Sequence, residues 1–188
     1  MERIRCFIAV DIEDQEVIGN ITRVQQALLP LGKCLKLVEK ENIHLTLRFL
    51  GELPQTLVND VIEILSHIDF TPFKIMLRGI GAFPRLSRPN VIWVGVEEGA
   101  EQLRDLASKI NAALRKLRLP PPDKPFSPHI TIARVKRRPD IKTLMNIMNA
   151  FSSDVYGSLL VDNFRLKKST LTPKGPIYTT LYEKKASM

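Results

Sequence analysis

The sequence is poor in the residues that most often carry chemistry or covalent structure. Its 188 residues include two cysteines, three histidines, one tryptophan and three tyrosines, and aromatic residues make up 6% of the chain. Cys6 and Cys34 cannot build a disulfide framework and have no metal-type spacing. Cys6 sits in an apolar run, where a thiol packs as a small hydrophobe rather than acting as a nucleophile. No apolar stretch is long enough to span a membrane. The N-terminal stretch from Arg3 to Val10 is basic and then apolar. It is short, stops at Asp11 and lacks a small-residue cleavage site, so it reads as a buried strand and not a secretory signal. A reducing cytoplasm is the expected setting.

Acidic residues are also in deficit. There are 20 Asp+Glu against 28 Lys+Arg, a net charge of +8. That sign favours a polyanionic partner, of which nucleic acid is the common one, although general solubility accounts for it equally well. No glycine-rich phosphate loop follows any apolar run, so the signature of a nucleotide-cofactor fold is missing. No cofactor is implied.

What the chain does have is a pattern used twice. Two of its three histidines open the same run, His-apolar-Thr-apolar, at His44-Leu45-Thr46-Leu47 and at His129-Ile130-Thr131-Ile132. Successive side chains of a strand point to opposite faces. Leu45 and Ile130 can therefore face a core while His44 with Thr46, and His129 with Thr131, look out on one surface. His67 has no such pattern around it. It closes a helix, and the expected role is an exposed cap that balances the helix dipole.

The periodicities around these runs place the remaining elements. Strands are expected over 5–10, 43–50, 73–80, 91–96, 129–135, 155–166 and 177–182, with a short extended piece over 35–38. Apolar spacing predicts helices over 14–29, 57–68, 100–117 and 141–151. The stretch 79–90, rich in Gly, Pro and Arg, reads as a loop, and Pro120-Pro121-Pro122 as a linker. Gly157 suggests a bulge or a bend within the strand 155–166. The first half reads strand, helix, His-x-Thr strand, helix, strand; the second half, from Val91, repeats that order and adds a strand. This suggests two lobes related by a pseudo-two-fold and an α+β class, with antiparallel sheets lining a central groove and helices on the outer faces. A doubly wound parallel sheet is the alternative.

Two imidazoles and two hydroxyls facing each other suit one reaction in particular. In-line displacement at phosphorus puts the attacking and leaving oxygens on opposite sides. A base is needed on one flank and an acid on the other, and histidine titrates near neutrality. The threonines can donate to the non-bridging oxygens. A two-histidine metal site is the rival, but the acidic neighbours Glu41 and Asp123 fall outside the alternation, so no metal ligand set is assigned.

Arg48, two beyond Thr46, shares the catalytic face under strict alternation. It could counter phosphate charge or form a rim salt bridge. Arg134, three past Thr131, falls on the opposite face unless the strand bulges. Phe7 or Tyr178 could stack a terminal base, with core packing the rival for Phe7. Arg85, Arg88, Arg137 and Arg138 could hold an RNA backbone, or could simply be solvated.

The chain resembles the 2H phosphoesterases, and within them the RNA 2′,3′-cyclic phosphodiesterases, also called 2′-5′ RNA ligases. The pieces that carry this are Arg5 to Val10, His44 to Gly51, Gly81 to Pro84 with Arg88-Pro89, Trp93 to Val96, Phe126 to Val135 and Ser169 to Tyr178. The resemblance implies one bilobal domain over 1–188 with interleaved lobes, and motif strands near 43–50 and 128–135. It implies metal-independent hydrolysis of RNA 2′,3′-cyclic phosphate ends to 2′-phosphomonoesters by a monomer. His44 would be the proton donor, His129 the proton acceptor, and Thr46 and Thr131 the phosphate ligands. Two alternatives stay open: ligation of tRNA halves through a 5′-hydroxyl, and non-catalytic binding of RNA ends.

Overall fold

The computed structural model describes residues 2–188. In chain order the elements are β1 (Arg3–Asp11), α1 (Gln15–Ala27), β2 (Leu35–Leu37), β3 (His44–Pro54), α2 (Gln55–Ser66), β4 (Phe73–Arg85), β5 (Arg88–Glu98), α3 (Ala100–Leu114), β6 (His129–Val135), α4 (Ile141–Ala150), β7 (Val155–Val161), β8 (Asn163–Thr172) and β9 (Gly175–Lys185). The strands form two antiparallel sheets, of order β3-β1-β8-β9 and β2-β6-β5-β4-β7. The class is α+β, as expected.

The central strand β1 explains the near-continuous apolar run at its core. Phe7, Ile8, Ala9 and Val10 are all buried, because both faces of this strand are covered. Asp14 caps α1 by accepting from the Val17 amide at 3.0 Å. Val17, Ile18, Ile21 and Val24 then form its buried stripe. This helix packs on β6 and β7 of the second sheet although it follows β1 of the first. Its buried Gln25 donates to the carbonyls of Val38 at 2.8 Å and Ile132 at 2.9 Å. The two halves of the sequence are interlocked in this way. Strand β2, from the first half, also pairs with β6 of the second.

Two expectations are corrected. The stretch 155–166 is two strands, not one bent strand. β7 pairs with β4 in one sheet, and after Asp162 the chain re-enters as β8, pairing with β1 in the other. The turn from one sheet to the other lies at the corner after Val161, while Gly157 (φ 120°) lies within β7 opposite Leu77 and marks the bulge expected there: Arg78 faces Val155, so Tyr156 is an extra residue. The stretch 79–90 is not a loop. It is the tip of the β4–β5 hairpin, paired out to Arg85 and Arg88. Its glycines serve the sheet. Trp93 lies flat on Gly81, where an added Cβ would come within 2.2 Å of the indole.

Candidate active site

The two motif strands β3 and β6 belong to different sheets and lie against each other where the sheets meet. Leu45 and Ile130 are fully buried. Burial of such a side chain contributes about 1.5–3 kcal/mol, and a one-residue slip would expose it, so the facing of each strand is well fixed. His44, Thr46, His129 and Thr131 all line a single groove enclosing about 700 Å³, part of it open to solvent.

The two histidines are held in the same manner. Nδ1 of His44 lies 2.6 Å from the Asn42 carbonyl, and Nδ1 of His129 lies 2.6 Å from the Ser127 carbonyl. A carbonyl only accepts, so each Nδ1 carries a proton and donates it, which leaves each Nε2 to gain or lose the second proton. His44 Nε2 is 3.0 Å from the Thr46 hydroxyl. Aromatic rings surround both imidazoles. Phe7 lies 5.0 Å from His44, with Tyr178 edge-on at 5.3 Å. Phe83 stands edge-on to His129 at 4.9 Å, with Trp93 at 6.4 Å. Burial accordingly pushes both imidazoles below their ordinary pKa. For His44 the Asn42 carbonyl and Asp11 pull the value back up, while Arg134 and Lys167 lower it further. For His129 the Ser127 carbonyl opposes the burial.

Both strands bulge just past the motif. In the β1–β3 ladder Ala9 faces Thr46 but Ile8 faces Arg48, so Leu47 is an extra residue. In the β5–β6 ladder Trp93 faces Thr131 but Ile92 faces Ala133, so Ile132 is an extra residue. A bulge reverses the facing of everything beyond it. Burial follows the same succession in both strands: half-buried, buried, half-buried, buried, buried, exposed. The sixth residue of each run, Phe49 in one and Arg134 in the other, therefore returns to the groove. Arg134, conditional on a bulge in the sequence reading, is in the groove.

Arg48 is corrected by the same geometry. It turns away from the groove and is buried, at 8% exposure. Its guanidinium donates to the Phe49 carbonyl at 3.2 Å, to Asn111 Oδ1 at 2.9 Å and to the Pro120 carbonyl. It thus clamps the proline linker, which leads into β6, onto β3. Arg48→Ala would remove the buried donor of three partly buried hydrogen bonds and the contact between the linker and β3. A loss of roughly 2–4 kcal/mol is expected, seen as a melting temperature lower by about 5–15 °C. A groove residue would instead raise KM and leave the melt unchanged.

Phe7 is also corrected as a base-stacking residue. It is 4% exposed, beneath His44, Tyr178 and Phe49, and offers no free face. Tyr178 does line the groove, and burial raises its phenol against the pull of Arg134 and Arg5. His67 caps α2, exposed, 3.1 Å from Glu63. Sequence reasoning missed Phe49, which lines the groove at 67% exposure. It missed the cationic rim as well. Lys36 comes from β2 and Lys174 from the β8–β9 turn, and the Asn42 amide ties that turn down by donating to the Pro176 carbonyl at 3.0 Å. Among the described residues no group of three or more His, Cys, Asp or Glu side chains is placed to hold a metal ion. No helix among them is long and apolar enough to cross a membrane.

Known proteins are similar to this chain across most of its length. Residues 13–169 match the model of the 2′-5′ RNA ligase superfamily. A protein of Archaeoglobus fulgidus, named RNA 2′,3′-cyclic phosphodiesterase, is 41% identical over 184 residues, covering 94% of this chain and 97% of its own. One of the same name from Aeropyrum pernix is 40% identical over 171 residues, covering 91% and 97%. The crystal structure of a Thermus thermophilus protein superposes with a TM-score of 0.81 at 33% identity, covering 97% of each chain. That of E. coli LigT complexed with 3′-AMP gives a TM-score of 0.79 over 100% of each chain; at 24% identity it speaks for the fold alone.

Proposed function

The chain belongs to the 2′-5′ RNA ligase superfamily, and from that premise we propose that it is an enzyme, a hydrolase that opens 2′,3′-cyclic phosphates at RNA ends without a metal ion. The observation that carries this is the pair of Nδ1-anchored imidazoles lining one groove, each with a motif threonine beside it. Two such rings on one groove suit an acid and a base acting on opposite sides of one phosphorus atom.

The chemistry follows from the free Nε2 atoms. Neutral His129 takes a proton from water through Nε2, and the water oxygen attacks phosphorus. The bond from phosphorus to the ribose 3′-oxygen breaks on the opposite side, and that oxygen receives the Nε2 proton of protonated His44. The products are a 2′-phosphomonoester and a free 3′-hydroxyl, and the proton pattern of the two rings is reversed until solvent resets it. Thr46 and Thr131 donate to the non-bridging oxygens, where negative charge gathers. Giving the donor role to His44 follows the family resemblance. Arg134, Lys36 and Lys174 supply the positive field an RNA end would meet, and exposed Phe49 offers a face on which the terminal base can stack. With an RNA 5′-hydroxyl attacking phosphorus in place of water, and the 3′-oxygen leaving as before, the same site would form a 2′-5′ linkage.

The test is incubation of the protein with an RNA oligonucleotide ending in 2′,3′-cyclic phosphate, in the presence of a chelator. The expected product is the 2′-phosphate alone. Unchanged cyclic phosphate under these conditions would leave a binding protein. A 3′-phosphate product would reverse the placement of the substrate. Adding a 5′-hydroxyl strand and looking for a longer product checks the ligation reading.

A further inference from the structure

The duplication that builds the groove fails directly opposite the two histidines. Opposite His44 in the β1–β3 ladder stands Asp11; opposite His129 in the β5–β6 ladder stands Gly95. Directly opposed residues share a face, with Cβ atoms about 4.5–5.5 Å apart. One imidazole therefore has a carboxylate for a neighbour and the other has bare backbone. Position 95 is closed to any side chain, since a Cβ there would sit 2.8 Å from the Arg78 carbonyl oxygen.

Asp11 is also fixed in place. Its Oδ2 accepts from Lys167 Nζ and from Arg165 Nη1, each at 2.8 Å. Lys167 further donates to Thr180 at 2.9 Å, and Arg165 pairs with Glu13 at 2.7 Å. The Asp11 side chain is 16% exposed and that of Lys167 is 10% exposed, so solvent screens this cluster weakly. None of these groups lines the groove, and none takes part in the reaction as described above.

We propose that Asp11, clamped by Lys167 and Arg165 opposite His44, is a positioning residue that breaks the symmetry of the groove and fixes His44 as the ring that carries the second proton. The proposal rests on the reading of His44 as proton donor, and it gives that role a cause within this chain that the duplicated motif alone lacks. The charged and titratable groups around His44 come from several elements. β1 brings Asp11, and β8 brings Lys167 and Arg165. β6 brings Arg134 and His129, and β9 brings Tyr178. The rim adds Lys36, Glu39 and Lys174. Of these, Asp11 favours the protonated ring and Lys167 and Arg134 oppose it.

The signs make the proposal testable. Asp11→Asn removes the negative charge and leaves Lys167 without its carboxylate, while Arg165 keeps Glu13, and both changes disfavour protonated His44. Lys167→Met removes a positive charge and leaves Asp11 held by Arg165, which favours it. The measurement is an NMR titration of all three imidazoles in the intact protein without substrate, with His67, exposed and distant, as internal reference. In Asp11→Asn the His44 titration is expected to move to lower pH by roughly one unit, and in Lys167→Met to move upward. His129 and His67 are expected to stay in place. In the pH profile of kcat/KM, the limb that shifts should be the alkaline one, which reports loss of the donor's proton.

If His44 stays unmoved, or moves the same way in both variants, or if His129 moves as far as His44, the proposal is overturned. The titration needs no substrate, so this outcome is separate from whether the protein hydrolyses cyclic phosphates. Thermal melts of both variants identify one that has merely unfolded, and the remaining variant still carries a signed expectation.

Discussion

His44→Ala and His129→Ala are each expected to lower kcat for cyclic phosphate hydrolysis by roughly 10²–10⁴-fold, the usual contribution of a positioned acid or base. The double variant should be little worse than the worse single one, because acid and base act in a single displacement and either loss halts it. KM should change little, since Arg134, Lys36, Lys174 and Phe49 remain to hold the RNA end. The fold should survive as well. Each ring is half-buried at the groove wall, and the buried Leu45 and Ile130 that set the facing of the strands are untouched. His67→Ala, at the exposed end of α2, is the control and should keep full activity.

The same arrangement sets the pH dependence. Under the acid–base mechanism proposed above, activity needs one ring protonated and one neutral. Burial holds both below the usual imidazole pKa of about 6.5. The kcat/KM profile should therefore be bell-shaped with its centre on the acid side of that value. The bound anion favours the protonated donor, so the alkaline limb of kcat should lie above that of kcat/KM. Either single variant retaining activity within about fivefold of the parent would end the acid–base reading, because general catalysis of this kind is worth far more.

The part of the site legible in the sequence is the part governed by strict alternation. His44 with Thr46 and His129 with Thr131 lie before any bulge, so a period of two places them correctly. Beyond them alternation fails, and it fails twice in the same place. Arg48, Phe49 and Arg134 all follow an extra residue, Leu47 or Ile132, that reverses the facing. The run Leu47-Arg48 gives little hint of this. A single charged residue after an apolar one reads as continued alternation until the structure shows it buried among Asn111, Phe49 and Pro120. The rim was illegible for another reason. Lys36 and Lys174 are 138 positions apart in the sequence and meet only because β2 crosses to the second sheet while the β8–β9 turn leans over the groove. The stretch 155–166 reads as one strand because both pieces are apolar and the corner at Asp162 carries neither glycine nor proline. Phe83 and Trp93 belong to runs the resemblance rests on, but their role around His129 depends on a hairpin that the sequence presents as a loop.

Thr46→Val and Thr131→Val are expected to lower kcat by roughly 10²–10³-fold each, the cost of losing one preorganised donor to a developing oxyanion. Valine keeps the branched shape that suits a strand and removes the hydroxyl, so the loss should be of chemistry and not of folding. The two threonines are not equivalent in the resting site. The Thr46 hydroxyl lies 3.0 Å from His44 Nε2, so Thr46→Val also removes a partner of His44, and its pH profile should shift along with its rate. Thr131→Val should lower the rate at every pH without moving either limb. Serine restores a donor at the same Cβ, and Thr46→Ser and Thr131→Ser should recover most of the activity. Binding of the cyclic substrate should weaken far less than kcat, because the donors matter most where charge accumulates in the transition state. A valine variant with full kcat and a raised KM would show the hydroxyl to be a ground-state ligand, and the placement of phosphorus between the two strands would then have to be redrawn.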